Sequence, residues 1–131
     1  MRYLDSSAIV KLVIREPETA ELVASLRRSP EVVSSSLAWT EVLRTAKRAG
    51  LRGGRAAQVL AGLALVPIDD GILRAAAELG PSTLRTLDAI HLATALSLLP
   101  DIDELVTYDR RLAEASIRAG LSATSPGVVE I

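Results

Sequence analysis

The chain has 131 residues, 49% of them hydrophobic, which suits one α/β domain spanning residues 1–131. The lack of cysteine excludes disulfides, thiolate metal sites and a cysteine nucleophile. A net charge of −1 and only three aromatic residues argue against a polycationic or base-stacking nucleic-acid binder. We expect a soluble cytoplasmic protein without membrane contact, because no segment resembles a signal peptide and no uncharged run reaches the ~20 residues that span a bilayer.

Strand and helix patterns alternate through the first half of the chain. Residues 2–4 predict a strand, residues 6–14 a helix, and residues 20–26 a second helix after a proline-marked break. Residues 32–34 predict the second strand. The helix after it carries an apolar stripe at i, i+3, i+4 and i+7, formed by Trp39, Val42, Leu43 and Ala46. This stripe predicts that Trp39 packs in the core.

The second half continues the alternation. Residues 56–64 predict a helix, residues 65–68 the third strand, and residues 72–79 a helix capped by Asp69 and Asp70. Residues 86–99 are apolar around nearly the whole helix, which is typical of a buried helix. Residues 105–107 predict the fourth strand, residues 110–119 a helix, and residues 121–124 are the candidate for a fifth. The fold class is therefore α/β, a three-layer α/β/α arrangement around a parallel sheet of four to five strands.

Four acidic residues stand at comparable places in this pattern. Asp5 and Asp109 each follow a short apolar strand and precede a helix, so both lie at the carboxyl edge of a parallel sheet, where ligands bind. Asp88 begins the apolar helix. Glu41 lies within two turns of the start of a helix that follows a strand, so it can face the same edge.

Each acid taken alone also has a purely structural explanation. Asp5 and Asp109 suit helix caps, Asp88 suits the positive end of a helix dipole, and Glu41 suits a solvated face. Two carboxylates about 4 Å apart repel by roughly 4 kcal/mol at an effective dielectric of 20, so four would gather only around a cation. Hard oxygen ligands without cysteine favour Mg²⁺ or Mn²⁺, and such an ion favours phosphodiester hydrolysis.

Four ordered blocks of sequence resemble the signature of PIN-domain nucleases, and more closely that of VapC toxins of VapBC toxin–antitoxin modules. The blocks are YLDSSAIVKL at residues 3–12, SSLAWTEVLR at 35–44, TLDAIHLATA at 86–95 and VTYDRRL at 106–112. They extend over essentially the whole chain. The resemblance implies a PIN-like fold and a toxin that cleaves RNA endonucleolytically with Mg²⁺ or Mn²⁺.

Site residues and partners follow from the same resemblance. It implies that the ion is held by Asp5, Glu41, Asp88 and Asp109, and that the hydroxyls of Ser6 and Thr107 orient the carboxylates or a metal-bound water. It also implies a small VapB-like antitoxin that covers the site with an Arg or Lys. A homodimer or a toxin–antitoxin hetero-oligomer is expected, with DNA contacted only through the antitoxin.

The remaining polar residues leave alternatives open. His91, one turn after Asp88, suits a packed or hydrogen-bonded core histidine better than a general base. A set of basic residues could grip RNA phosphates, although solvated helix faces explain them equally well: Arg44, Lys47, Arg48, Arg52 and Arg55.

Two other functions compete with the nuclease. A flavodoxin-like signalling domain would use Asp69 as phospho-acceptor and a lysine near the last strand, but the only lysines are Lys11 and Lys47. A non-catalytic binding module would keep the fold without the chemistry, against which the complete set of four acids argues.

Overall fold

The central sheet has five parallel strands in the computed structural model, which describes residues 1–129. Its spatial order is β3-β2-β1-β4-β5. The strands are β1 (Arg2–Leu4), β2 (Val32–Ser35), β3 (Ala64–Val66), β4 (Glu104–Val106) and β5 (Ala123–Thr124). The predicted parallel sheet is confirmed. Its fifth strand, β5, lies within residues 121–124, which the sequence offered as the candidate.

Helices cover both faces of this sheet. One layer contains α1 (Ser6–Val13), α2 (Thr19–Arg28), α3 (Leu37–Arg48) and α4 (Gly54–Ala61). The other contains α5 (Asp70–Glu78), α6 (Thr86–Ser97) and α7 (Arg110–Arg118). The predicted three-layer α/β/α architecture is therefore confirmed. Across residues 1–129, no helix combines the length and apolar character needed to cross a bilayer.

The central strands are apolar on both faces because helices cover both. In β1, Leu4 packs with Val106 of β4 against the α1–α4 layer. Tyr3 and its register partner Leu105 point the other way, toward α6 and α7. All four side chains are fully buried. Because β1 and β4 are fixed in register at the centre of the sheet, the residues that follow them are placed together.

Two sequence predictions need correction in the layer that contains α3 and α4. Trp39 is 42% exposed, whereas Ala38, Val42 and Ala46 of α3 are buried. Val42 and Ala46 of the predicted stripe are buried and Leu43 packs partly buried against the core, so the error is confined to the first position, where the small Ala38 meets the core in place of the large Trp39. The helix predicted to reach residue 64 ends at Ala61, since Gly62 caps it and the next residues enter β3.

Helix α6 is buried along most of its length, as predicted. Its residues 89–95 are all buried, and its first turn reaches the surface, where Leu87 is 45% exposed. The helix thus projects from the interior to the carboxyl edge of the sheet, and Asp88 in its first turn lies at that edge.

Candidate active site

The strand order reverses between β1 and β4, which is where open α/β sheets place their ligands. From β1 the chain moves outward to β2 and β3 on one side, then returns to β4 and β5 on the other. Asp5 directly follows β1, and its backbone N–H donates to the Val106 carbonyl at 3.2 Å. Asp109 follows β4 by three residues. The two acids with the same strand-to-helix pattern therefore flank one crevice.

Asp5 is the most buried of the four acids, at 3% exposed. Its Oδ1 accepts hydrogen bonds from the Ser7 hydroxyl at 2.7 Å and the Ala8 amide at 3.0 Å, the second of which caps α1. Its Oδ2 accepts from the Thr107 hydroxyl at 2.6 Å. Burial raises the pKa of Asp5, although these hydrogen bonds oppose the rise. The predicted helix cap is present, together with contacts that a cap alone does not need.

Thr107 links Asp5 to Asp109 through one hydroxyl. It donates to Asp5 and accepts from the Asp109 backbone N–H at 3.0 Å. The Asp109 side chain caps α7 with Oδ1, which accepts from the amides of Arg111 and Leu112 at 2.9 and 3.2 Å. The cap uses one carboxylate oxygen, while Oδ2 faces the Arg85 guanidinium at 4.0 Å.

Asp88 lies within electrostatic reach of both neighbouring acids. Partial burial and the charges of Asp109 and Asp5 together raise the pKa of Asp88 to about 6. A first-turn aspartate stabilised only by a helix dipole would not have this raised pKa. Three acids from three elements therefore lie close enough at the carboxyl edge to interact electrostatically.

Glu41 joins this group from α3. The Ser6 hydroxyl donates to its Oε1 at 2.6 Å, and His91 Nε2 lies 2.7 Å from the same oxygen. Burial alone would raise the pKa of Glu41, but these hydrogen bonds outweigh it and hold the pKa below its usual range. Among the contacts of residues 1–129, none engages Oε2. Glu41 is therefore fixed by one oxygen with the other left available.

The donor chemistry of these residues fits a hard divalent cation. Carboxylate oxygens are the ligands that Mg²⁺ and Mn²⁺ prefer, and both Glu41 and Asp109 keep one oxygen outside their structural hydrogen bonds. As the side chains stand in residues 1–129, no three acidic or histidine side chains are grouped tightly enough to hold an ion together. Carboxylates repel one another, so closer approach needs the charge of the cation itself.

Comparison with known proteins identifies the family of this chain. The PIN domain model matches residues 2–117. The chain belongs to the PIN-domain family. It is 46% identical to ribonuclease VapC46 of Mycobacterium tuberculosis (strain ATCC 25618 / H37Rv) over 95% of this chain and 96% of that protein. It is 39% identical to ribonuclease VapC47 of M. tuberculosis (strain CDC 1551 / Oshkosh) over 98% and 99% of the two chains. These relatives place it in the VapC group.

Solved structures agree on the fold. A toxin–antitoxin complex from Klebsiella pneumoniae contains a chain with a TM-score of 0.68 and 25% identity, covering 99% of this chain and 97% of that one. A chain in the structure of FitAB bound to an IR36 DNA fragment has a TM-score of 0.72 at 19% identity, covering 100% and 99%. The PIN-like fold predicted from the four sequence blocks is confirmed.

The topology contradicts the signalling alternative. Flavodoxin-like sheets have the order 2-1-3-4-5, which places the third strand beside the first. In this PIN-domain chain β3 lies at the edge of the sheet, two strands from β1. Asp69, which follows β3, caps α5 by accepting from the Ile72 amide at 2.8 Å. It is therefore separated from the other acids, and its predicted capping role is confirmed.

Two of the five candidate RNA-binding residues border the acidic site of this PIN domain. Arg44 and Arg48 line a cleft of about 480 Å³ together with Ser6 and Glu41. Three others do not line that cleft, and all three are exposed: Lys47, Arg52 and Arg55. Of the four acids, Glu41 is the one that lines this cleft, so the cleft joins one edge of the acidic site to basic side chains of α3.

Sequence reasoning missed two cations near the site. Arg85 lies at the rim beside Asp109, with two-thirds of its side chain exposed. Lys11 is buried, lines the cleft, pairs with Glu18 at 3.1 Å, and lies 4.6 Å from the centre of the Tyr108 ring. Neither has a distinguishing spacing in the sequence. Only the fold places them near the site: Arg85 lies at the start of α6, and Lys11 lies on the side of α1 that faces the cleft.

Proposed function

We propose that this chain is a Mg²⁺- or Mn²⁺-dependent endoribonuclease that acts as the toxin of a toxin–antitoxin pair. The observation that carries the proposal is the convergence of Asp5 and Asp109 at the topological switch point, where the Thr107 hydroxyl donates to Asp5 and accepts from the Asp109 backbone N–H. Burial and the charges of these two acids also raise the pKa of Asp88. The relatives named ribonuclease VapC support RNA as the substrate. The similarity to a chain of the K. pneumoniae complex supports an antitoxin partner.

Asp5, Asp88, Asp109 and Glu41 are the residues that would hold the ion. When bound, the ion supplies a lowered pKa for a coordinated water and offsets negative charge that develops on the phosphate. Thr107 and Ser7 hold the Asp5 carboxylate by both oxygens, and Ser6 holds Glu41 by one. These hydroxyls restrict rotation of the carboxylates, so that less ordering is needed when substrate arrives.

Arg44 and Arg48 give the cleft the charge needed for an RNA backbone. Both extend from α3 beside Glu41, where their guanidinium groups can pair with phosphate oxygens flanking the scissile bond. Such contacts bind RNA without reading its sequence. The cleft therefore accounts for binding of a nucleic acid by a chain whose net charge is −1.

The antitoxin proposal rests on the same acids. Three carboxylates around one crevice form a receptor for a guanidinium or ammonium group, which a VapB-like partner would supply by laying an Arg or Lys across the cleft. Occupation by that cation blocks both the ion and the RNA. We further propose assembly as a homodimer or as a toxin–antitoxin hetero-oligomer, with DNA bound through the antitoxin.

RNA cleavage by the purified protein tests the nuclease directly. Total RNA is incubated with protein freed of any antitoxin, in Mg²⁺, Mn²⁺ or EDTA, using wild type, Asp5→Asn, Asp88→Asn and Asp69→Asn. We expect cleavage only with metal, loss of cleavage in the first two variants, and full activity in Asp69→Asn. The last is the matched control, because Asp69 caps α5 as Asp5 caps α1.

Several results would contradict the proposal. Cleavage in EDTA by metal-free protein, or full activity of both Asp5→Asn and Asp88→Asn, would rule out the four-carboxylate mechanism. No cleavage of any RNA by folded wild type would favour a binding module that keeps the PIN fold without the chemistry.

A further inference from the structure

A buried hydrogen-bonded chain connects the interior of the protein to Glu41. The Tyr3 hydroxyl lies 2.6 Å from His91 Nδ1, and His91 Nε2 lies 2.7 Å from Glu41 Oε1. Tyr3 is fully buried and His91 is 1% exposed. The three residues belong to β1, α6 and α3, so the chain links the central strand to one helical layer and, through the contact between His91 and Glu41, to the other.

The direction of each hydrogen bond follows from the chemistry of the acceptor. An ionised carboxylate only accepts, so the nitrogen of His91 that faces Glu41 must carry the proton. In a neutral imidazole the other nitrogen is then an acceptor, and the Tyr3 hydroxyl donates to it. Burial raises the pKa of the Tyr3 hydroxyl, which therefore keeps its proton. Tyr3 thus selects the tautomer in which His91 donates to Glu41.

This arrangement also excludes His91 from acting as the base. Both ring nitrogens are engaged, Nδ1 by Tyr3 and Nε2 by Glu41, with the Ser6 hydroxyl also 3.1 Å from Nε2. Neither nitrogen is available to take a proton from a water. The prediction that His91 is a hydrogen-bonded core histidine is confirmed, and its contact is with one of the four acids.

Packing alone does not require these polar groups. Tyr3 and His91 meet edge to face, with ring centroids 5.8 Å apart and planes at 74°. A phenylalanine and a leucine could fill such a space without the cost of burying a hydroxyl and an imidazole. The two donors to Glu41, from Ser6 and His91, both reach Oε1. The polar chain therefore fixes one oxygen of one carboxylate.

We propose that His91, oriented by Tyr3, is a positioning residue that holds Glu41 by Oε1 so that Oε2 is presented to the divalent ion. The proposal rests on the proposed metal-dependent function. Ser6 shares the same task from α1. Loss of such outer contacts weakens metal binding or activity by about 10- to 100-fold in metalloproteins.

The affinity for Mn²⁺ tests this role without relying on cleavage. It is measured by titrating the metal-free protein with Mn²⁺ and recording electron paramagnetic resonance spectra. The variants are Tyr3→Phe, which removes only the hydroxyl, His91→Leu, which removes the donor, and His91→Gln, whose amide can donate from near the Nε2 position. We expect Mn²⁺ affinity to fall about 10- to 100-fold in the first two and to recover largely in His91→Gln. Circular dichroism verifies that each variant is folded.

Cleavage of total RNA at increasing Mn²⁺ gives a second readout. If Glu41 is mispositioned, Tyr3→Phe should need more Mn²⁺ for half-maximal rate, and excess Mn²⁺ should restore much of that rate. Ser116→Ala is the matched control, because it deletes a buried hydroxyl that donates to the Leu112 carbonyl at 2.7 Å within α7. It should lose stability and keep both Mn²⁺ affinity and rate.

The outcomes separate this inference from the proposed function. If Asp5→Asn abolishes Mn²⁺ binding and cleavage while Tyr3→Phe and His91→Leu change neither, the positioning role is overturned and the metal-dependent nuclease stands. If wild type binds no Mn²⁺, both are overturned. Equal losses in His91→Leu and His91→Gln, in folded proteins, would also overturn the role assigned to the donor.

Discussion

Replacing Asp88 with Asn should stabilise the metal-free protein at pH 7.5. The pKa of Asp88 is raised from its ordinary value of 3.8 to about 6, by burial and by the charges of Asp109 and Asp5. A carboxyl whose pKa is raised in the folded state contributes stability below pH 3.8, and that contribution is lost as pH rises through about 6. At pH 7.5 the ionised Asp88 therefore opposes folding, and a neutral amide of similar shape does not.

The magnitude follows from the size of the shift. A pKa raised from 3.8 to about 6 sets an upper bound near 3 kcal/mol, because a tenfold change in an equilibrium constant corresponds to about 1.4 kcal/mol. Because Asp88 is only half-buried, solvent screening reduces this to about 1 to 2 kcal/mol. With a urea dependence of about 2 kcal/mol per molar for a domain of this size, the midpoint of unfolding should rise by roughly 0.5 to 1 M.

Urea unfolding in EDTA at pH 7.5 and pH 4 measures this difference. The gain of Asp88→Asn over wild type should be present at pH 7.5 and nearly absent at pH 4, where the carboxyl is protonated in the folded state. Mg²⁺ at pH 7.5 should then stabilise wild type more than the variant, because ligand binding favours the folded state that binds it.

Asp70→Asn is the matched control. Asp70 lies in the first turn of α5, as Asp88 lies in the first turn of α6, but it is exposed. Its replacement should lower stability at pH 7.5 by about 0.3 to 1 kcal/mol through the lost helix-dipole interaction. A change of the same sign and size in both variants, or a gain for Asp88→Asn that does not vary with pH, would refute the argument that neighbouring carboxylates crowd Asp88.

Two further predictions concern the surroundings of the acids. Thr107→Val should cost about 1 to 3 kcal/mol of stability, because Asp5 loses a buried hydrogen bond, and should lower the rate of RNA cleavage at least tenfold. Thr107→Ser keeps the hydroxyl and should restore most of the stability and of the rate. Urea unfolding and cleavage rates measure the two effects. The double variant Arg44→Gln and Arg48→Gln should weaken RNA binding by folded protein and reduce its dependence on salt, whereas Arg52→Gln should leave both unchanged in filter-binding titrations.

Much of the site was predictable because parallel strands deliver their following residues to one edge. Asp5 and Asp109 could be placed from the apolar strands before them. Strand positions alone could not place Glu41, because its partner His91 is 50 residues away and only the packing of the helical layers brings the two together. Its inclusion at the sequence level therefore depended on family resemblance.

The error at Trp39 has a physical cause. A helical stripe read from the sequence gives weight to large apolar side chains, whereas the face of α3 that meets the core is built around Ala38, Val42 and Ala46. Small residues such as Ala38 let α3 pack closely against the neighbouring elements, and the adjacent Trp39 side chain then points toward solvent. Similarly, the position of Arg85 beside Asp109 depends on the entry of α6 to the site, which no periodicity reveals.

The central place of β1 has a consequence for how the protein is made. The hydrogen bond between Asp5 and Thr107 spans 102 residues, and β1 pairs with β4 along its length. At a synthesis rate of about 5 to 20 residues per second, roughly 5 to 20 s separate the emergence of these two partners from the ribosome. Interrupted translation before β4 therefore releases fragments that contain Asp5 but cannot assemble the acidic crevice.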